Sequence, residues 1–132
     1  MSEHPKVLVV DDLAMFRQAV AEAVERAGGE VLGFAENGRQ AIYRYVELKP
    51  DVVFMDIMMP EMDGISALTV IRKYDADARV VMCSSVKDSE MIYRAVRQGA
   101  LDFVPKPFSD ERIAEAMRLA LRDMPRAASG AQ

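Results

Sequence analysis

The chain alternates short apolar runs with longer stretches in which apolar residues recur every three or four positions. The runs are Val7-Leu8-Val9-Val10, Val31 to Ala35, Val52-Val53-Phe54-Met55, Val80-Val81-Met82-Cys83 and Phe103-Val104-Pro105. Short runs without alternation predict strands buried on both faces, as in a parallel sheet. The stretches between them predict amphipathic helices. The first presents Phe16, Val20, Ala23, Val24 and Ala27 on one face and stops at Gly28-Gly29. The second starts at Asn37, a capping residue with Gln40 three positions on, turns Ala41, Ile42 and Tyr45 inward, and ends at Pro50. The third follows the turn signal Asp63-Gly64 and presents Ile65, Leu68 and Ile71. The fourth follows Asp88 and presents Ile92, Ala95 and Val96 before Gly99. The fifth begins at Ser109, carries Asp110 and Glu111 where the helix dipole favours anions, and lines up Ile113, Met117, Ala120 and Leu121. Strands alternating with helices predict the α/β class: a doubly wound (βα)5 domain whose five-stranded parallel sheet has the flavodoxin-like order 2-1-3-4-5.

In such a sheet the carboxyl ends of the strands share one edge, where ligand sites of open α/β folds lie. The runs end on Asp11-Asp12, Glu36-Asn37-Gly38, Asp56, Ser84 and Lys106. Each residue also has a plain structural reading. Asp11-Asp12 and Ser84-Ser85 can cap helices, Asp56 can close a turn, and Lys106 can be a solvated loop lysine. Their joint placement favours chemistry. Adjacent Asp11 and Asp12, joined by Asp56 from the third run, make a carboxylate cluster that a hard divalent cation would relieve, most simply Mg2+. Lys106 can pair with Asp56 when the site is empty and with a phosphoryl oxygen when it is filled, and Ser84 offers a neutral donor. Asp56 is the natural nucleophile, able to carry an acyl phosphate while metal and lysine offset charge. The end at Glu36-Asn37-Gly38 lies on an outer strand and needs no chemical role.

Composition narrows the function classes. A length of 132 residues with 51% hydrophobic content predicts one domain over 1–132, its core at about 5–122 and its tail at 123–132 flexible. A net charge of -4 without a Lys/Arg cluster excludes the basic face that nucleic acid needs. No apolar stretch is long enough for a membrane span, and Met1 to Lys6 lacks the apolar segment of a signal peptide, so a cytoplasmic protein is expected. The single cysteine, Cys83, reads as a small buried hydrophobe, and His4 as an exposed residue without a role. Met55, Met58, Met59 and Met62 crowd the segment around Asp56, where they are expected to shield the site from water.

The segments VLVVDD, DVVFMDIMMPEMDG, VVMCSS and GALDFVPKPF resemble the receiver domains of two-component response regulators, and the resemblance covers about residues 5 to 122. The spacings hold as well: 44 positions from Asp12 to Asp56, 28 from Asp56 to Ser84 and 22 from Ser84 to Lys106. Within the family the chain looks most like its free-standing chemotaxis members, through Ile65 to Leu68 and Met82 to Ser85. The resemblance implies that Asp56 accepts a phosphoryl group from a histidine kinase or acetyl phosphate. Mg2+, or Mn2+ in its place, would be held by Asp12, Asp56 and the backbone carbonyl of Met58, with Asp11 acting through water. It further implies that Ser84 turns toward the phosphoryl group and that Phe103 moves inward. The fourth helix, fifth strand and fifth helix would thereby be remodelled for a partner, such as the flagellar motor switch, with a phosphatase as a further partner. A cis peptide between Lys106 and Pro107 is implied too.

Two positions depart from the family's usual pattern. Phe103 stands where chemotaxis receivers often have tyrosine, so a hydroxyl contact to a partner is absent. Met58 stands two residues after Asp56, where some receivers carry a polar side chain. Three readings stay open: a stand-alone binding module whose only catalysis is on its own Asp56, the receiver of a longer transcriptional regulator or chemotaxis methylesterase, and an aspartyl-phosphate phosphatase. The last lacks the usual second acid at position 58. The first is favoured by a chain that stops shortly after its fifth helix.

Overall fold

A computed structural model describes residues 4–122. The elements alternate as expected: β1 (Lys6–Val10), α1 (Ala14–Arg26), β2 (Glu30–Ala35), α2 (Gly38–Leu48), β3 (Val52–Met55), α3 (Gly64–Tyr74), β4 (Val80–Ser84), α4 (Ser89–Arg97), β5 (Asp102–Pro105) and α5 (Asp110–Leu121). All strand pairs are parallel and the order is β2-β1-β3-β4-β5. The predicted flexible tail lies outside the described residues. Among the described residues no helix is long and apolar enough to cross a membrane.

Successive side chains of a strand point to opposite faces, so each run feeds two cores. Leu8, Val10, Val53, Met55, Val80 and Met82 face one layer with Ala41, Tyr45, Leu68, Ile71 and Ala95 of α2, α3 and α4. Val7, Val9, Val52, Phe54, Val81, Cys83 and Val104 face the other with Val20, Val24, Ile113 and Met117 of α1 and α5. Each fully buried aliphatic side chain in these layers contributes about 1.5–3 kcal/mol. Burial pushes the Cys83 thiol up to about 12, in keeping with a residue that packs rather than reacts.

Four helices are capped by the side chains of Asn37, Asp63, Asp88 and Ser109. Gln40 completes the cap of α2 by accepting from the Glu36 amide at 2.8 Å. The exception is α1, whose N-cap is Leu13, with no side-chain cap. Asp11-Asp12 and Ser84-Ser85 therefore cap no helix, and their plain structural reading fails at those ends.

Four periodicity expectations fail, one of them at Ile92 of α4, which is partly buried but packs with neither core layer among the described residues. Ala27 is exposed at the C-cap of α1, and Val96 is exposed on α4, which turns Met91 and Ala95 inward instead. Phe16 belongs to neither core layer among the described residues. The first turn of α1 follows directly from the end of β1, so it overhangs the carboxyl edge of the sheet rather than lying on its face. Met58 is exposed too, so it does not screen the segment after Asp56; Met55 is buried, and Met59 and Met62 are partly buried. His4 is exposed, as expected, with its Nδ1 2.9 Å from the Gly28 carbonyl oxygen.

Candidate phosphoryl and metal site

The strand register delivers the candidate residues to one place. Val10 pairs with Met55, so Asp11 and Asp56 emerge side by side, and the Asp56 amide continues the ladder by donating to the Val10 carbonyl at 3.0 Å. On the other side Ser84 pairs with Pro105, and the Lys106 amide donates to the Ser84 carbonyl at 3.0 Å. The backbone ladder thus aligns Asp11, Asp56, Ser84 and Lys106 before any side chain interacts. The Lys106–Pro107 peptide is cis, as expected.

Lys106 lies between the two buried acids. Its Nζ donates to Asp11 Oδ2 at 2.7 Å and to Asp56 Oδ2 at 3.2 Å, with all three side chains nearly inaccessible. Pairing with Asp56 was expected from the sequence, whereas the shorter contact to Asp11 was not. One oxygen of each acid is held by backbone as well: Asp11 Oδ1 accepts from the Leu13 amide at 3.0 Å and Asp56 Oδ1 from the Ile57 amide at 2.7 Å. Burial pushes the Asp11 carboxyl above its ordinary range, against the lowering influence of Lys106. For Lys106 burial works downward, but the hydrogen bond to Asp11 and the charge of Asp56 outweigh it, and the ammonium is held above its ordinary value.

Carboxylate oxygens of Asp11, Asp12 and Asp56 all lie within 4.8 Å of one another. Asp12 is solvent-accessible, and among the described residues its carboxylate has no hydrogen-bond or ion-pair partner. Three carboxylates against one ammonium leave about two negative charges uncompensated, and the donors are all hard oxygens. This cluster can bind a metal ion.

The other expected residues sit around this centre. Ser84 is buried, and its Oγ accepts from the Val86 amide at 3.3 Å. Phe103 is half-buried and packs on the layer beneath α4, while Met58 stands exposed in the loop after β3. Two arginines that no motif marked also matter. Arg17 of α1 donates to the Asp11 carbonyl at 2.7 Å and lies 3.9 Å from Glu36. Arg112 of α5 donates to Asp102 at 2.9 Å and to the Phe103 carbonyl at 3.2 Å, tying the backbone of the aromatic to α5. Both contacts join residues from different elements, and neither residue type at its position would have announced them.

Comparison with known proteins agrees with this geometry. The family model for the response regulator receiver domain matches residues 7–118. The chain is 46% identical to the chemotaxis protein CheY of Thermotoga maritima over 85% of this chain and 93% of that protein. Among solved structures, the signal receiver domain of the response regulator NarL from Mycobacterium tuberculosis superposes with a TM-score of 0.87 at 30% identity, covering 92% of this chain and 99% of that one. CheY in the CheX-CheY-BeF3-Mg2+ complex of Borrelia burgdorferi gives a TM-score of 0.82 at 29% identity, with 86% of each chain covered. With fold order, edge chemistry and sequence likeness agreeing over most of its length, the chain belongs to the response regulator receiver family, with chemotaxis CheY proteins among its relatives.

Proposed function

We propose that the chain is a phosphorylation-controlled switch of a chemotaxis pathway, in which Asp56 accepts a phosphoryl group from a histidine kinase. The observation that carries this reading is Lys106, buried between Asp11 and Asp56 at the carboxyl edge of the sheet. An Asp56 carboxylate oxygen forms the new bond to phosphorus as the bond from phosphorus to the donor, phosphohistidine or acetyl phosphate, breaks. Lys106 exchanges its contact with Asp56 for one with a phosphoryl oxygen, remaining anchored on Asp11. Mg2+, or Mn2+, held by Asp12, Asp56 and the Met58 carbonyl, and through water by Asp11, would offset charge on the transferring group. Hard oxygen donors and uncompensated negative charge suit that ion.

Ser84 then acts as the reporter. Its hydroxyl donates to the new phosphoryl oxygen while its Oγ keeps accepting from the Val86 amide, which draws the segment before α4 toward the site. Phe103 moves inward beneath α4, and the surface of α4, β5 and α5 is repopulated toward the form a downstream protein binds. A component of the flagellar motor switch is the expected listener. CheY of B. burgdorferi is found in a complex with CheX, which supports a further protein partner here, and a phosphatase is the one expected. The protein catalyses no reaction other than on its own Asp56, and it works in the cytoplasm.

Incubation with acetyl phosphate and Mg2+ should add one phosphoryl group at Asp56, and Asp56→Asn or chelation should abolish it. Modification elsewhere, or none in folded protein, overturns the reading. Phosphoryl lifetime depends on the exposed Met58, which offers attacking water no hydrogen bond. Met58→Asn should speed loss of the phosphoryl group about fivefold, the effect of one added hydrogen bond of about 1 kcal/mol. Unchanged or slower loss in a single-turnover decay assay would refute that role.

A further inference from the structure

Phe16 is a large aromatic side chain that the two core layers do not explain. Helical spacing assigns it to the core face of α1, yet among the described residues it packs with neither hydrophobic layer. Nor is it exposed. Its ring instead lies beneath the Lys106 ammonium, with Nζ 3.8 Å from the ring centroid, well inside the roughly 6 Å limit for a cation–π contact.

An ammonium has three donors and sits on a flexible four-carbon stem. Two directions are taken by Asp11 Oδ2 at 2.7 Å and Asp56 Oδ2 at 3.2 Å. Without a further wall, water would reach the cation and weaken both contacts by raising the local dielectric. A ring face excludes that water and attracts the charge through its quadrupole, which an aliphatic side chain of similar size cannot do. The ring is held in place relative to the acids. Asp11 Oδ1 accepts from the Leu13 amide, the Phe16 amide donates to the Leu13 carbonyl at 3.0 Å, and Arg17 donates to the Asp11 carbonyl at 2.7 Å. The first turn of α1 is therefore fastened to the same residue that anchors Lys106.

We propose that Phe16 is a positioning residue for phosphoryl transfer, its ring face forming the third wall of the socket that holds the Lys106 ammonium against Asp56. The proposal rests on the function given above, so one measurement is chosen that does not depend on it. In protein with isotope-labelled lysine, the Lys106 Cε–Hε NMR signals should be shifted upfield by the ring current in wild type and in Phe16→Tyr, and should lose that shift in Phe16→Leu and Phe16→Met. The second measurement is the rate of modification by acetyl phosphate at saturating Mg2+. Phe16→Leu and Phe16→Met should slow it at least about threefold, and Phe16→Tyr should recover most of the loss. Two aliphatic variants are used so that a folding defect in one leaves the other to decide.

Lys106 signals that stay put when the ring is removed would overturn the proposal. So would equal slowing in Phe16→Tyr and Phe16→Leu that tracks their thermal midpoints, since that pattern marks packing alone. If wild type takes up no phosphoryl group, the functional reading fails separately, and the NMR comparison still decides whether the ring holds the ammonium.

Discussion

Lys106→Met should cost the free protein about 3 kcal/mol of stability at neutral pH, because removing one partner of a buried ion pair leaves the other without compensation. Here two carboxylates are left, Asp11 and Asp56, both nearly inaccessible and both bonded to that one ammonium. The pH dependence carries the sign. The Asp11 pKa in the fold already lies above its ordinary value, mainly through burial, and losing Lys106 removes influences that lower it. A carboxyl that holds its proton more tightly in the fold than in the unfolded chain favours folding in acid, and that contribution fades as pH rises through the folded pKa. The deficit of the variant should therefore shrink as pH falls from neutrality toward the folded pKa of Asp11. Mg2+ should stabilise the variant at neutral pH by supplying positive charge, by about 2.7 kcal/mol at a hundredfold excess over its Kd. It should shrink the deficit only by the margin with which it binds the variant more tightly than wild type, whose ammonium competes for the same acids. Acetyl phosphate modification should still fall by about 100-fold or more, since the ion does not replace a cation aimed at the transferring group. Urea unfolding at two pH values, each with Mg2+ and with chelator, reads all of this. A variant as stable as wild type at neutral pH in chelator would show that the acids are relieved some other way.

How far the sequence reaches depends on whether a property is set by period or by packing. Runs without alternation and their helical intervals depend on local pattern, and they yielded all ten elements, whereas the sheet order came from the fold those elements imply. Strand ends are equally local, so the gathering of Asp11, Asp56, Ser84 and Lys106 could be read in advance. Period fails at the ends of helices. Phe16 and Ala27 follow the apolar stripe of α1, but the sheet they would pack on has ended at one and the helix at the other. Partner choice within the site was not readable either. That Lys106 leans on Asp11 more closely than on Asp56, and that Arg17 and Arg112 grip backbone carbonyls, depends on side-chain positions across elements 6 to 95 residues apart.

Asp63-Gly64 shows the same limit. The pair reads as a turn, which would call for glycine's backbone freedom, but Gly64 has no positive φ; the left-handed residue of that loop is Glu61, at φ 69°. What Gly64 supplies is space. As the first residue of α3 it donates to the Ile57 carbonyl at 2.7 Å, and a Cβ there would lie 2.0 Å from the Asp56 carbonyl oxygen and 2.9 Å from its carbon. Those are backbone atoms, so no side chain can swing aside. Gly64→Ala must push α3 off the loop, losing a hydrogen bond of about 1 kcal/mol, or rotate the Asp56 peptide. Rotation would also disturb the Asp56 carboxylate, which accepts from the Ile57 amide at 2.7 Å. Overpacking of this kind costs about 1–3 kcal/mol, and with the broken hydrogen bond the expected loss is about 3 kcal/mol. Gly28→Ala is the control. Gly28 has φ 94° but nothing within 4 Å of its Cβ position, so that change should cost about 1–2 kcal/mol through backbone strain and leave the site intact. If modification at Asp56 survives in Gly64→Ala at the rate of Gly28→Ala once both are stabilised by Mg2+, the contact between α3 and the Asp56 peptide does not support the site.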